Sequence, residues 1–201
     1  MISLSRAQHY GRLFRSRYLD DFVFVHINKT GGSSVERALG LPFRHRTALE
    51  LRRSLGSGRW QRRFSFTFVR NPWDKVASHY FYRVNTNQTA LATSPIAFSD
   101  WVLRAYGERD PRLYDKPKMF MPQVEWISDE AGHLLVNFVG RFERLDADFR
   151  TVCDRIGVRA ELPHEKRSSN RDYRQIYSAT AVDVVARWFA ADIEQFGYGF
   201  E

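Results

Sequence analysis

The stretch FVFVHINKTGGSSVERALG, Phe22–Gly40, decides the reading of this chain. Its first six residues, Phe22–Ile27, are an almost unbroken run of β-branched and aromatic side chains, the composition of a strand buried on both faces in a parallel sheet. Ser33-Ser34-Val35-Glu36 then has the pattern of a capping box, and Gly40 followed by Pro42 ends the helix that it opens. A strand, a glycine loop and a helix in that order make an anion site. Backbone N–H groups of about Thr30 to Ser34 point into a concavity at the helix N-terminus, where the helix dipole also favours negative charge. Gly31 and Gly32 permit the tight path, the hydroxyls of Thr30, Ser33 and Ser34 add donors, and Lys29 stands at the mouth. The lysine precedes the glycines, whereas the ATP-binding loop G-x-x-x-x-G-K-[ST] puts it after them.

The same grammar recurs downstream. RFSFTFV (Arg63–Val69) reads as a second strand, and Asn71-Pro72 supplies a cap and an N1 proline for a helix through about Arg83. Arg70 at the strand's carboxyl end and Ser78 on the following helix form a second anion site. Ligands of open α/β sheets bind in the crevice at such strand ends, and two anion sites suit a nucleotide phosphorylated at two positions. HLLVNFVG (His133–Gly140) reads as a third strand, so the expectation is an α/β fold with a central parallel sheet flanked by helices, P-loop-like and three-layered. Residues 45–63 read as a helix and a basic turn, Ser94-Pro95 as another helix start, and Gly107–Pro122 as a surface loop of the kind that holds substrates. Val182, Val185, Ala186, Phe189, Ile193 and Phe196 fall at helical spacing, giving one C-terminal helix stopped by Gly197.

Composition bounds the rest. The 201 residues, 43% hydrophobic and 15% aromatic, suit one domain spanning 1–201. The net charge of +8 rests mostly on arginine, since the lysines are Lys29, Lys75, Lys116, Lys118 and Lys166 alone; arginine favours bidentate contact with phosphate, sulfate or carboxylate. Cys153 is the single cysteine, so no internal disulfide forms, and no Cys/His spacing resembles a zinc site; no metal is expected. With no apolar run long enough for a signal peptide or a membrane span, a soluble, cytoplasmic protein is expected.

Taken together, the two anion motifs resemble those of sulfotransferases that use 3′-phosphoadenosine 5′-phosphosulfate (PAPS), in particular the carbohydrate, family 2-like branch. That family has a loop H-I-P-K-T-G-G-T-S for the 5′-phosphosulfate and R-N-P-x-x-R/K-x-x-S for the 3′-phosphate. Here they read His26-Ile27-Asn28-Lys29-Thr30-Gly31-Gly32-Ser33-Ser34 and Arg70-Asn71-Pro72-Trp73-Asp74-Lys75-Val76-Ala77-Ser78, with Asn28 in place of the proline. The resemblance extends to PQVEWI (Pro122–Ile127), VGRFERLDADF (Val139–Phe149) and DIEQFGYGF (Asp192–Phe200), and so covers most of the chain. It implies PAPS as cofactor, with adenosine 3′,5′-bisphosphate as product and a hydroxyl acceptor, most often a sugar. Lys29 takes the catalytic lysine position, and Gln123 and Trp126 are implied to line the acceptor cleft. In the wider fold a basic C-terminal loop closes on the 3′-phosphate, a role open here to Lys166, Arg167 or Arg171, beside the plainer reading of a solvated charge run.

For the base there are three candidates. His45 lies between the motifs, where related sulfotransferases carry a histidine in a segment like K-H-A-T-A; its imidazole accepts a proton near neutral pH at an ordinary pKa. His79 points about 100° away from Ser78 around its helix and suits a packing role better. Glu125 would serve an enzyme with a carboxylate base, and His26 at the strand end braces the loop. Two other classes remain. A P-loop ATPase or nucleotide kinase would share the strand-loop-helix, but the lysine is displaced and the third strand lacks an acidic residue for Mg²⁺. A nucleic-acid-binding module would suit the charge, but the aromatic residues sit in apolar segments and are not interleaved with arginine.

Overall fold

The computed structural model describes residues 4–163 and 172–200. Its elements run α1 (Leu4–Tyr18), β1 (Phe22–Val25), α2 (Gly32–Leu39), α3 (Ala48–Leu55), α4 (Ser57–Gln61), β2 (Phe64–Val69), α5 (Pro72–Asn85), α6 (Phe98–Val102), α7 (Pro117–Phe120), α8 (Gln123–Ile127), β3 (Phe138–Arg141), α9 (Leu145–Ile156), α10 (Ala179–Trp188) and α11 (Ala190–Phe196). The architecture is α/β, with three parallel strands in the order β1-β2-β3 and helices around them. Contacts divide the chain into two compact units, residues 1–69 with 125–165 and residues 70–124 with 166–201.

The first unit holds the sheet. Phe22 pairs with Phe64 and Phe66 with Phe138, so aromatic side chains recur on one face. Against them pack Val35 and Leu39 of α2 and Phe149 and Val152 of α9, all buried. Each such side chain contributes about 1.5–3 kcal/mol by leaving water. The third strand is shorter than its apolar run suggests. Asn137 ends the pairing early, because its side-chain Oδ1 accepts the Ser65 N–H at 2.8 Å in place of a backbone carbonyl, while Leu134 makes an isolated antiparallel bridge to Ser128. The first helix, α1, has no counterpart in the sequence reading; Arg15 ties it to the end of α2 through the Leu39 carbonyl at 2.5 Å.

The second unit is built on α5. Asn71 Oδ1 accepts the Trp73 N–H and Pro72 occupies the first helical position, as the sequence predicts. Trp73, Val76, Tyr80, Trp101 and Phe120 form its core with Phe189. Arg83, wholly buried, reaches Asp115 at 2.7 Å and the Leu113 carbonyl at 3.2 Å. The stretch expected to be a surface loop is therefore anchored from beneath, with Leu113 and Phe120 in the core. The expected single C-terminal helix is two helices. The chain breaks at Phe189 (φ −105°, ψ 24°) with no proline or glycine there. That break follows from tertiary demands: Phe189 stays buried and Asp192 turns into a buried hydrogen-bond cluster. Gly197 adopts the left-handed conformation that closes α11.

One glycine on the sheet tests this packing. A Cβ on Gly140 would stand 2.5 Å from Cε1 of the buried Phe68. Gly140→Ala is expected to lower stability by about 1–3 kcal/mol through overpacking, read as a lower midpoint in urea at unchanged slope; an unchanged midpoint would contradict the packing described.

Candidate active site

In the first unit the loop after β1 is shaped by two left-handed residues, Lys29 (φ 66°) and Gly31 (φ 82°). Gly31 is the N-cap of α2 and its own carbonyl takes the N–H groups of Ser34 and Val35. The N–H groups of Gly32 and Ser33, in the first turn, have no intrahelical acceptor and are the donors that an anion can take. The hydroxyls of exposed Ser33 and half-buried Ser34 make no hydrogen bond among the described residues. Thr30 differs from expectation: its hydroxyl is buried and donates to the Ile27 carbonyl at 2.9 Å, bracing the loop. The capping box also fails to form. Glu36 turns instead into the protein, where Oε2 lies 2.9 Å from His26 Nδ1 and Oε1 accepts the Arg44 N–H at 3.0 Å.

Glu36 thus organises the loop, a role the sequence reading missed. A signal was available: Gly32 and Glu36 are four apart and share a helix face, and a Cβ on Gly32 would overlap the His26 ring. The glycine lets the helix sit against the imidazole that Glu36 holds. His26 in turn positions His45, whose Nδ1 lies 3.3 Å from the His26 carbonyl oxygen with ring centroids 4.3 Å apart. A carbonyl only accepts, so in this contact Nδ1 carries the hydrogen. Trp126 is buried and meets His45 edge-on at 6.3 Å. It backs the imidazole and does not line an open acceptor cleft. Glu125 is exposed.

In the second unit Arg70 directly follows the end of β2 along the chain. Its guanidinium donates to Asp74 from Nε at 2.7 Å and Nη2 at 2.8 Å. Ser78, one turn beyond Asp74, presents a half-buried hydroxyl with no hydrogen bond among the described residues. Gln123, expected in the acceptor cleft, is fully buried and spent on the backbone: Oε1 accepts the Arg70 N–H at 2.8 Å and Nε2 donates to the Arg70 carbonyl at 2.9 Å. Asp192 completes the clamp by accepting from the N–H groups of Gln123 and Val124, each at 2.8 Å. Burial raises its carboxyl above the ordinary range, against the pull of those N–H groups and of the Lys75 charge. His79 is a packing residue, buried against Trp101 and Phe120 with Nδ1 3.4 Å from Tyr106 Oη, which removes it as a base. Lys166, Arg167 and Arg171 lie outside the described residues.

Lys75, at the motif's basic position, is buried beneath Phe189, its Nζ 5.2 Å from the ring centre. Burial lowers its pKa to about 8, with Asp192 opposing and Arg70 assisting. An amine at about 8 when folded and 10.5 when unfolded binds fewer protons in the folded state between those pH values, so stability rises with pH across that window. The rise is expected to be on the order of 3 kcal/mol and to vanish in Lys75→Met; equal pH profiles in urea unfolding would contradict it.

A family model described as the sulfotransferase family matches residues 14–199. An uncharacterized protein of Archaeoglobus fulgidus is 30% identical over 114 residues, which cover 55% of this chain and 82% of that protein. A crystal structure of a sulfotransferase from Alicyclobacillus acidocaldarius aligns over 89% of this chain and 98% of its own, at 16% identity and a TM-score of 0.45.

Proposed function

We infer, because the chain belongs to the sulfotransferase family, that it moves a sulfuryl group from PAPS to an acceptor hydroxyl, and that the acceptor is a carbohydrate or glycoconjugate. The observation that carries the reading is the loop from His26 to Ser34: a lysine in the left-handed conformation, first-turn N–H groups of α2 with no intrahelical acceptor, and glycines at 31 and 32 where a Cβ would clash. Such donors fit a 5′-phosphosulfate. Arg70 and Ser78, held on the second unit, take the 3′-phosphate.

The donor supplies a sulfuryl group on a phosphate leaving group. The acceptor oxygen bonds to sulfur as the bond from sulfur to the 5′-phosphate oxygen breaks, and the products are a sulfate ester and adenosine 3′,5′-bisphosphate. Lys29 and the N–H groups of Gly32 and Ser33 stabilise the charge that develops on the departing phosphate. His45 Nε2 takes the acceptor's proton, with Nδ1 held on the His26 carbonyl so that the ring keeps the productive tautomer. Catalysis here is positioning and electrostatics.

The reading makes separable demands on its residues. Lys29→Ala is expected to cut transfer to a glycoside panel by roughly 10²–10³, and His45→Ala by roughly 10²–10⁴, each with an unaltered melting temperature. Arg70→Ala is expected to weaken adenosine 3′,5′-bisphosphate by roughly tenfold to a hundredfold while AMP, lacking the 3′-phosphate, binds as before. Full activity in His45→Ala would remove it as the base, and equal loss of both nucleotides in Arg70→Ala would remove that residue from the 3′-phosphate.

A further inference from the structure

A cavity of about 310 Å³ lies in the first unit among α1, β1, α3 and the segment 41–46, with Glu36 of α2 also in its lining. Its size falls in the range of small-molecule sites. Leu13, Phe22, Phe24, Leu41, Leu51 and Leu55 give it an apolar interior. Three guanidinium groups, of Arg17, Arg44 and Arg46, line it from exposed or half-buried positions. Like charges so placed repel one another: burial first, and then the charges of Arg46 and Arg17, lower the pKa of Arg44.

What would neutralise them is missing among the described residues. Arg17 donates from Nη1 to the Ser54 hydroxyl at 3.3 Å and Arg46 from Nη2 to the Glu50 carbonyl at 2.7 Å, both neutral acceptors. The Arg44 guanidinium has no hydrogen-bond partner among the described residues. Glu36 is the one carboxylate in the lining, and its two oxygens serve His26 Nδ1 and the Arg44 backbone. An apolar chamber with three cations against one carboxylate, itself turned to His26 and the Arg44 N–H, keeps an excess of positive charge and is complementary to a molecule with the opposite division.

We propose that this cavity binds a small, soluble amphipathic anion, its apolar body against Phe22, Phe24 and Leu51 and its carboxylate, sulfate or phosphate head between Arg17, Arg44 and Arg46. The cavity borders the nucleotide loop through Phe24 and Glu36, and Arg44 and Arg46 flank His45 directly. An occupant therefore orders the segment that carries the proposed base. The proposal does not require the sulfotransferase chemistry to be as described, since it concerns binding alone.

Isothermal titration with octanoate, octanol and acetate tests it on the whole chain, with adenosine 3′,5′-bisphosphate as the control for an intact nucleotide site. Octanoate is expected to bind at least tenfold more tightly than either the uncharged octanol or the tail-less acetate. Arg44→Gln/Arg46→Gln is expected to lose at least tenfold in octanoate affinity without change for the bisphosphate. Leu51→Trp, which fills the chamber and keeps every charge, is expected to lose octanoate as well. Octanol binding as well as octanoate would overturn the proposal. So would octanoate affinity unchanged in the arginine variant, no octanoate binding at all, or attachment only to anionic lipid vesicles. Failure of the bisphosphate alone would count against the nucleotide site and leave the cavity's result standing.

Discussion

The contact between His26 and Glu36 is the constraint on which the first anion motif depends. It fixes an imidazole under the start of α2, and so requires glycine at position 32. The same carboxylate holds the Arg44 N–H, and the His26 carbonyl holds His45. Removing the carboxylate would take away the partner that faces the buried His26 imidazole and the acceptor of the part-buried Arg44 N–H together, at a cost of about 1–3 kcal/mol. One acidic side chain thereby sets loop shape, helix entry and the orientation of the proposed base.

The second motif is backed in a parallel way. Asp192, on a helix far along the chain, holds the backbone of Gln123 and Val124, and Gln123 grips both polar groups of the Arg70 backbone. The residue that follows β2 is fixed through its main chain, while its side chain pairs with Asp74. In each unit a buried carboxylate positions the backbone beside one of the two motifs. Burying a carboxylate is costly unless its oxygens are satisfied; backbone N–H groups serve both oxygens of Asp192 and Oε1 of Glu36, whose Oε2 faces the His26 imidazole. That cost secures a loop geometry that apolar packing alone would not specify.

Local signals account for what the sequence disclosed. The strand, loop and helix of residues 22–40 and the Asn71-Pro72 helix start announce themselves through composition and caps, and membership of the sulfotransferase family agrees with that reading. Roles that depend on partners distant in sequence were not legible. Glu36 has the spacing of a cap and becomes a brace, because His26 ten residues earlier competes for it. Gln123 and Trp126 sit in a family motif, but their burial shows only when Asp192 and His45 are brought beside them. The break at Phe189 has no local cause, since the apolar spacing continues through it. Arginine counts gave the sign of the surface charge; the convergence of Arg17, Arg44 and Arg46 on one cavity required the fold.

The central claim is that this chain reads a nucleotide with phosphate at both the 5′ and 3′ positions. Thermal unfolding with adenosine 3′,5′-bisphosphate, beside AMP and beside ATP with Mg²⁺, tests it most directly. A ligand at about 100 times its Kd adds roughly 2.7 kcal/mol, which for a chain of this size raises the melting temperature by about 5 to 10 °C. The account predicts that rise for the bisphosphate and a smaller one for AMP. A rise with ATP and Mg²⁺ alone, or none with the bisphosphate, would contradict it.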